Sequence, residues 1–149
     1  SAALFMRRID MPDWNNAFIN FDYKDYFKAP NAQVTELWYD NFSKYRLAYT
    51  GNTGDLSVSA TMSENGKNVI VKIVNATDKA QDLTINGDWK GIASANYTYF
   101  APGDLMVANS IQNKNAVEKK FKTVTPVDNA VKMNIEPLSA GVLVMEKVF

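Results

Sequence analysis

From Leu56 onward apolar and polar residues alternate, with Leu56, Val58, Ala60 and Met62 on one side of an extended chain and Ser57, Ser59 and Thr61 on the other. This is the period of a half-buried strand. The segment 64-ENGK-67 carries Asn65-Gly66, whose tolerance of positive φ predicts a type I′ turn, and 69-VIVKIVN-75 reads as the returning strand. Its Ile73 is expected to point into a core. Further short strands are predicted at 82-DLTIN-86, 95-ANYTYF-100, 122-KTVTPV-127, 131-VKMNIE-136 and 141-GVLVMEKV-148, separated by Gly, Pro, Asn and Asp clusters. Seven or so strands at this spacing predict an antiparallel β-sandwich. Pro126 has no N–H to give a ladder, so its strand should be short or lie at an edge.

The pattern changes before residue 50. Val34, Leu37, Trp38, Asn41, Phe42 and Tyr45 recur at helical spacing, with Asn41 the one polar interruption, and predict a helix over about 31–46. Pro30 disfavours helix at Ala29, and Asn31 is the expected N-cap. Leu4, Phe5 and Met6 read as the end of an earlier helix, and 18-FINF-21 as one strand. A lone strand cannot satisfy its own backbone groups. It needs neighbours, and none is predicted beside it.

Composition narrows the chemistry. A chain of 149 residues can bury roughly 70% of the surface its unfolded form exposes, enough for a real core. Sixteen basic and sixteen acidic residues cancel without like-charge runs, so the phosphate-tracking surface of a nucleic-acid binder is not expected. Cysteine and histidine are absent, which excludes disulfides, zinc fingers and imidazole general bases. No cofactor or metal is expected. The longest apolar runs, such as 141-GVLVM-145, are far short of the ~20 residues of a spanning helix, so no membrane partner is expected either. No N-terminal signal pattern is present, but Ser1-Ala2 reads as a cut rather than a natural start. The compartment stays open, a periplasmic or secreted one placed ahead of the cytoplasm.

Several stretches together resemble the carboxy-terminal portion of family 51 glycoside hydrolases, the α-L-arabinofuranosidases: 14-WNNAFINFDYKDYFKAPNAQVTELWYDNF-42, 54-GDLSVSAT-61, 69-VIVKIVNAT-77, 104-DLMVANSIQNKNAV-117 and 137-PLSAGVLVME-146. Their order and spacing carry the likeness more than any one motif. In that family a (β/α)8 catalytic barrel precedes a β-sandwich of jelly-roll type. The resemblance implies that residues 1–48 are the remnant of the last βα unit of such a barrel and that 49–149 form the sandwich. One departure is local. After Ala108-Asn109-Ser110 the family commonly carries an acidic residue and a proline, where this chain has Asn113-Lys114.

The resemblance also implies retaining hydrolysis, with a carboxylic acid and a nucleophilic carboxylate about 5 Å apart, both carried on earlier barrel strands. Glu36, Glu64, Glu118, Glu136 and Glu146 show no paired setting, and no residue of this chain is expected to be catalytic. Asn20 and Asp22 close the carboxyl end of the barrel-like strand, the end where barrel enzymes place their sites. One of them borders the arabinose subsite in the functional reading. In the plainer one they serve a turn or a hydrogen bond of the loop. Trp14, Tyr23, Tyr26 and Phe27 are aromatic candidates for a sugar cleft, packing beneath the loop being the plainer role. Trp89, Tyr97 and Tyr99 read as core or core-lid residues, and Asn75 and Asn109 as structural amides. Of three Asn-x-Ser/Thr sequons, at Asn41, Asn75 and Asn96, the first falls within the predicted helix.

The leading reading is therefore a non-catalytic accessory part of an arabinofuranosidase. Its partners would be the catalytic barrel of the same polypeptide, arabinose-containing saccharides through that barrel, and a second copy through the N-terminal segment. The alternatives are a free-standing carbohydrate-binding module and an immunoglobulin-like interaction domain.

Overall fold

The computed structural model describes residues 5–11 and 17–148. They form β1 (Met6–Arg8), β2 (Ile19–Phe21), β3 (Tyr26–Lys28), α1 (Pro30–Asp40), β4 (Tyr45–Leu47), β5 (Leu56–Met62), β6 (Asn68–Asn75), β7 (Gln81–Ile85), β8 (Gly91–Phe100), β9 (Lys119–Thr123), β10 (Val131–Ile135) and β11 (Ser139–Val148). The chain is mainly β with one short helix. Six strands make the large sheet in the order β4-β5-β6-β11-β8-β9, all antiparallel, and β10-β7 make a second antiparallel sheet of two.

Alternation explains the layering. Val69, Val71 and Ile73 of β6, Ala95, Tyr97 and Tyr99 of β8, and Leu143 and Met145 of β11 share a core with Leu83 of β7 and Val131, Met133 and Ile135 of β10. Ile73 is fully buried there, as its pattern predicts. The intervening residues Ile70, Phe100 and Val142 face the other way and form a second core with Leu37 and Val117, joined by Val34, Trp38 and Val107. The large sheet is thus a central layer, with α1 on one face and the two-stranded sheet on the other. Full burial of an aliphatic side chain of this kind stabilises the fold by about 1.5–3 kcal/mol.

The N-terminal strand is not alone. β1, β2 and β3 form a three-stranded sheet in which β2 is central, parallel to β1 and antiparallel to β3. Met6–Arg8 is therefore a strand rather than a helix end; Leu4 lies outside the described residues. The expected lack of neighbours is corrected too, because Phe5 and residues 26–28 supply the backbone partners. The sequence hid this since β1 and β3 are three residues each, too short for period two to show.

The helix also differs. It starts at Pro30, whose missing N–H costs nothing in the first turn. Ala29, not Asn31, is its N-cap, and Asn31 Oδ1 accepts from the Ala32 N–H. It ends at Asp40, well short of 46, because Asn41 Nδ2 donates to the Leu37 carbonyl and closes the last turn. The freed Tyr45–Leu47 then pairs with β5 as an edge strand of the large sheet, opposite Ala60 to Met62. The helical stripe thus loses Tyr45 to β4, and Phe42 is left exposed.

Two turns exchange roles with expectation. In the β5–β6 hairpin only Gly66 takes positive φ (70°), the Gly66 N–H donates to the Ser63 carbonyl, and the Asn65 carboxamide oxygen accepts from the Lys67 N–H. A type I′ turn needs positive φ at both central residues. Asp128 and Asn129 supply that instead (51° and 60°), between the doubly bonded Val127 and Ala130. The strand predicted at 122–127 runs from 119 to 123, at the edge of the large sheet, with Pro126 beyond it. No helix among the described residues is long and apolar enough to cross a membrane.

Candidate functional site

The β2–β3 hairpin gathers most of the predicted site residues. Asp22 is the residue that builds its turn: the carboxylate accepts the N–H groups of Lys24 and Asp25 at 2.7 Å each, and the Asp22 N–H donates to the Asp25 carbonyl. This is the local bonding that suits aspartate to turns. Tyr23 stands at the tip, 87% exposed, with the Lys24 ammonium 5.2 Å from its ring centre. Asn20 is 4% exposed, and its Nδ2 donates to the Ala17 carbonyl at 3.3 Å. Asp22, Tyr23 and Tyr26 share an open, largely apolar hollow of about 600 Å³ with Met6, Ile19 and Phe21. Asn20 does not line it. Trp14 lies outside the described residues.

The loop that departs from the family pattern closes on this hairpin. Lys114 pairs with the Asp25 carboxylate and sits 5.7 Å from the Tyr26 ring centre. That bond first, and the Tyr26 N–H second, hold the Asp25 pKa below the usual carboxylate range. Asn109 ties the same loop down: Nδ2 donates to the Lys28 carbonyl (2.8 Å) and to Gln33 Oε1 (3.0 Å), while Oδ1 accepts the Val117 N–H (2.9 Å).

The glutamates sit in structural settings. Glu36 is bound by Lys28 at 2.8 Å and Glu64 by Lys44 at 2.5 Å, while Glu118 and Glu146 are exposed. Glu136 accepts the Tyr99 hydroxyl at 2.6 Å and the Lys120 ammonium at 3.2 Å. The Lys28 bond lowers the Glu36 pKa, and the Tyr99 bond, followed by Lys120, lowers that of Glu136. A general acid of glycoside cleavage requires a raised pKa. Both carboxylates are tuned the opposite way. Among the described residues no group of three or more Asp or Glu side chains could hold a metal ion.

The sandwich aromatics have interior roles. Tyr97 and Tyr99 stack at 4.8 Å within the core, and Trp89 covers one end of it while its indole N–H donates to the Asn129 carbonyl at 2.8 Å. Sequence reasoning missed a second hollow, of about 460 Å³, between β7 and the residues that follow β4. Its one advance signal was Tyr49 leading the neutral run 50-TGNTG-54.

No protein-family model matches the chain, and no curated protein matches it by sequence. Solved structures do. The arabinose-bound MgGH51 α-L-arabinofuranosidase superposes with a TM-score of 0.85 at 21% identity, over 99% of this chain and 24% of that one. The chain shares its fold with part of GH51 α-L-arabinofuranosidases. The GH51 enzyme of Thermotoga petrophila RKU-1 gives a TM-score of 0.75 at 20% identity, over 87% of this chain and 31% of its own. The α-L-arabinofuranosidase of Thermotoga maritima, solved with arabinose, gives 0.74 at 20% over the same shares. This chain therefore spans 24–31% of the length of these GH51 neighbours.

Proposed function

We propose that the chain is the non-catalytic C-terminal accessory part of an α-L-arabinofuranosidase. In this reading the residues ahead of β4 end a catalytic barrel, and β4 to β11 form a sandwich of jelly-roll type that stabilises the barrel. In this reading the sandwich is counted from β4, which is bonded to β5 in the large sheet, a few residues ahead of the division at residue 48. The observation that carries the proposal is the match over 87–99% of this chain against 24–31% of each GH51 neighbour. Exposed Phe5, Met6, Ile9 and Met11 support it, since large apolar side chains left open in one short segment suit a surface covered by a neighbour.

The parent would release terminal α-L-arabinofuranosyl groups of hemicellulose with retention, through two glutamates of the barrel. This chain contributes the frame. Asp22 shapes the turn after β2, Tyr23 presents a ring at its tip, and Asn20 fixes the strand beneath. The test has two arms. The purified chain should not hydrolyse an aryl α-L-arabinofuranoside above a subtraction blank, and turnover would overturn the non-catalytic role. The coding sequence upstream of residue 1 should encode further βα units with two strand-end glutamates; their absence would overturn the parentage.

A further inference from the structure

We infer that the hollow between β7 and residues 49–53 binds a short neutral oligosaccharide. The large sheet has six strands and the opposed sheet two, and β7 pairs with β10 alone. The inner face of β5 therefore runs out beyond its cover. Val58, Ala60 and Val71 floor the opening, and Leu83 and Ile85 wall it. Its volume of about 460 Å³ falls in the range of small-molecule pockets.

The lining decides the ligand class. No side chain that borders the hollow carries a charge, so an ionic ligand would find no counter-charge. A wholly apolar ligand would displace water from the polar groups of Asn52, Thr53, Thr84 and Asn86 and offer no hydrogen bond in return, at a cost. A saccharide offers both an apolar C–H face and a hydroxyl edge. Tyr49 suits the platform for that face: the residue is 51% exposed and borders the hollow, and its hydroxyl donates to the Val58 carbonyl at 3.1 Å, which holds the ring in place before a ligand arrives. Asn52 Oδ1 accepts the Gly54 N–H at 2.9 Å, leaving the carboxamide NH₂ to donate to a sugar hydroxyl. The site stands apart from the end of β2 and does not depend on the proposed parentage.

The test is a titration of the isotopically labelled chain with arabinotriose, xylotriose and cellotriose, followed by amide shifts at two protein concentrations. At least one sugar should give saturable shifts confined to residues 49–53 and 83–86. Tyr49→Ala should weaken binding roughly tenfold, while Tyr49→Phe, which keeps the ring but loses the bond that holds it, should weaken binding less, by about threefold. Absence of saturable shifts with all three sugars would overturn the inference, as would undiminished binding by Tyr49→Ala. So would shifts at 83–86 that follow protein concentration instead of sugar, because they would place the strand of a second copy against the open edge of β7.

Discussion

Asn75 is 1% exposed and has its hydrogen-bonding capacity filled. Nδ2 donates to the carbonyls of Lys79, Glu136 and, at 3.3 Å, Ile135, while Oδ1 accepts the N–H and hydroxyl of Thr77. It fastens the end of β6 to the end of β10, and its sequon is closed to a glycan by that burial. Its structural role was legible, because an amide at the end of an apolar strand has stray backbone groups to satisfy. Asn75→Ala should lower stability by about 2–4 kcal/mol in a denaturant titration, since it strands several buried groups at once; a loss below about 0.5 kcal/mol would contradict that role. The Tyr99–Glu136 bond was not legible, because its partners are 37 residues apart and only the fold joins them. Burial, then the bond to Glu136, raises the Tyr99 pKa to about 12. Folding therefore favours the neutral phenol. Its contribution is complete below the unfolded tyrosine value of about 10 and is lost as pH rises through about 12. The stability gap between the parent chain and Tyr99→Phe, roughly 1 kcal/mol at neutral pH, should shrink between pH 10 and 12. A gap that stays constant or widens would show the phenol to be untuned.

Elements were legible in proportion to their length. β5, β6 and β11 run for seven to ten residues and declare themselves by alternation, whereas β1, β3 and β4 have three residues each and declare nothing. The predicted helix runs past the observed one because Phe42 and Tyr45 continue its spacing by coincidence. The polar Asn41 that interrupts the stripe is the residue that ends it. Gly141 shows what pattern alone cannot reach. It stands opposite Ile73 and Tyr99 on β11, and a Cβ there would lie 2.5 Å from the Tyr99 Cβ and 2.6 Å from the Tyr97 ring. The stacked tyrosines occupy the volume this glycine leaves. Gly141→Ala should cost about 1–3 kcal/mol through overpacking, and thermal unfolding checks it. A transition temperature equal to the parent's would mean that the rings move aside freely.

At the scale of the molecule the fold class followed from strand count, but the packing of α1 on the large sheet did not, because the stripe of a helix names no partner. Function was the least legible, since Glu36 and Glu136, which stand apart in the sequence from Lys28, Tyr99 and Lys120, meet them only in the fold. What the structure adds is how β3 and α1 are tied to the large sheet and the 109–117 loop: Leu37 and Trp38 pack in one cluster with Ile70 and Val142, and Asn109 donates to the Lys28 carbonyl and Gln33. The three-stranded sheet pairs β2 on both sides but is small, and Phe5, Met6 and Met11 beside it are open to solvent. Short strands with few buried contacts open at low free energy. The amides of Ile19–Phe21 should therefore exchange faster than those of 69–74, despite being paired on both sides. Asn109→Ala should speed exchange in residues 19–28 roughly tenfold through the lost bonds, while 69–74 stay unchanged. If the open apolar side chains also join two copies, protection at 19–21 will rise with protein concentration. Exchange at 19–28 that is insensitive to both Asn109→Ala and concentration would mean that the unit is held by neither the loop nor a partner.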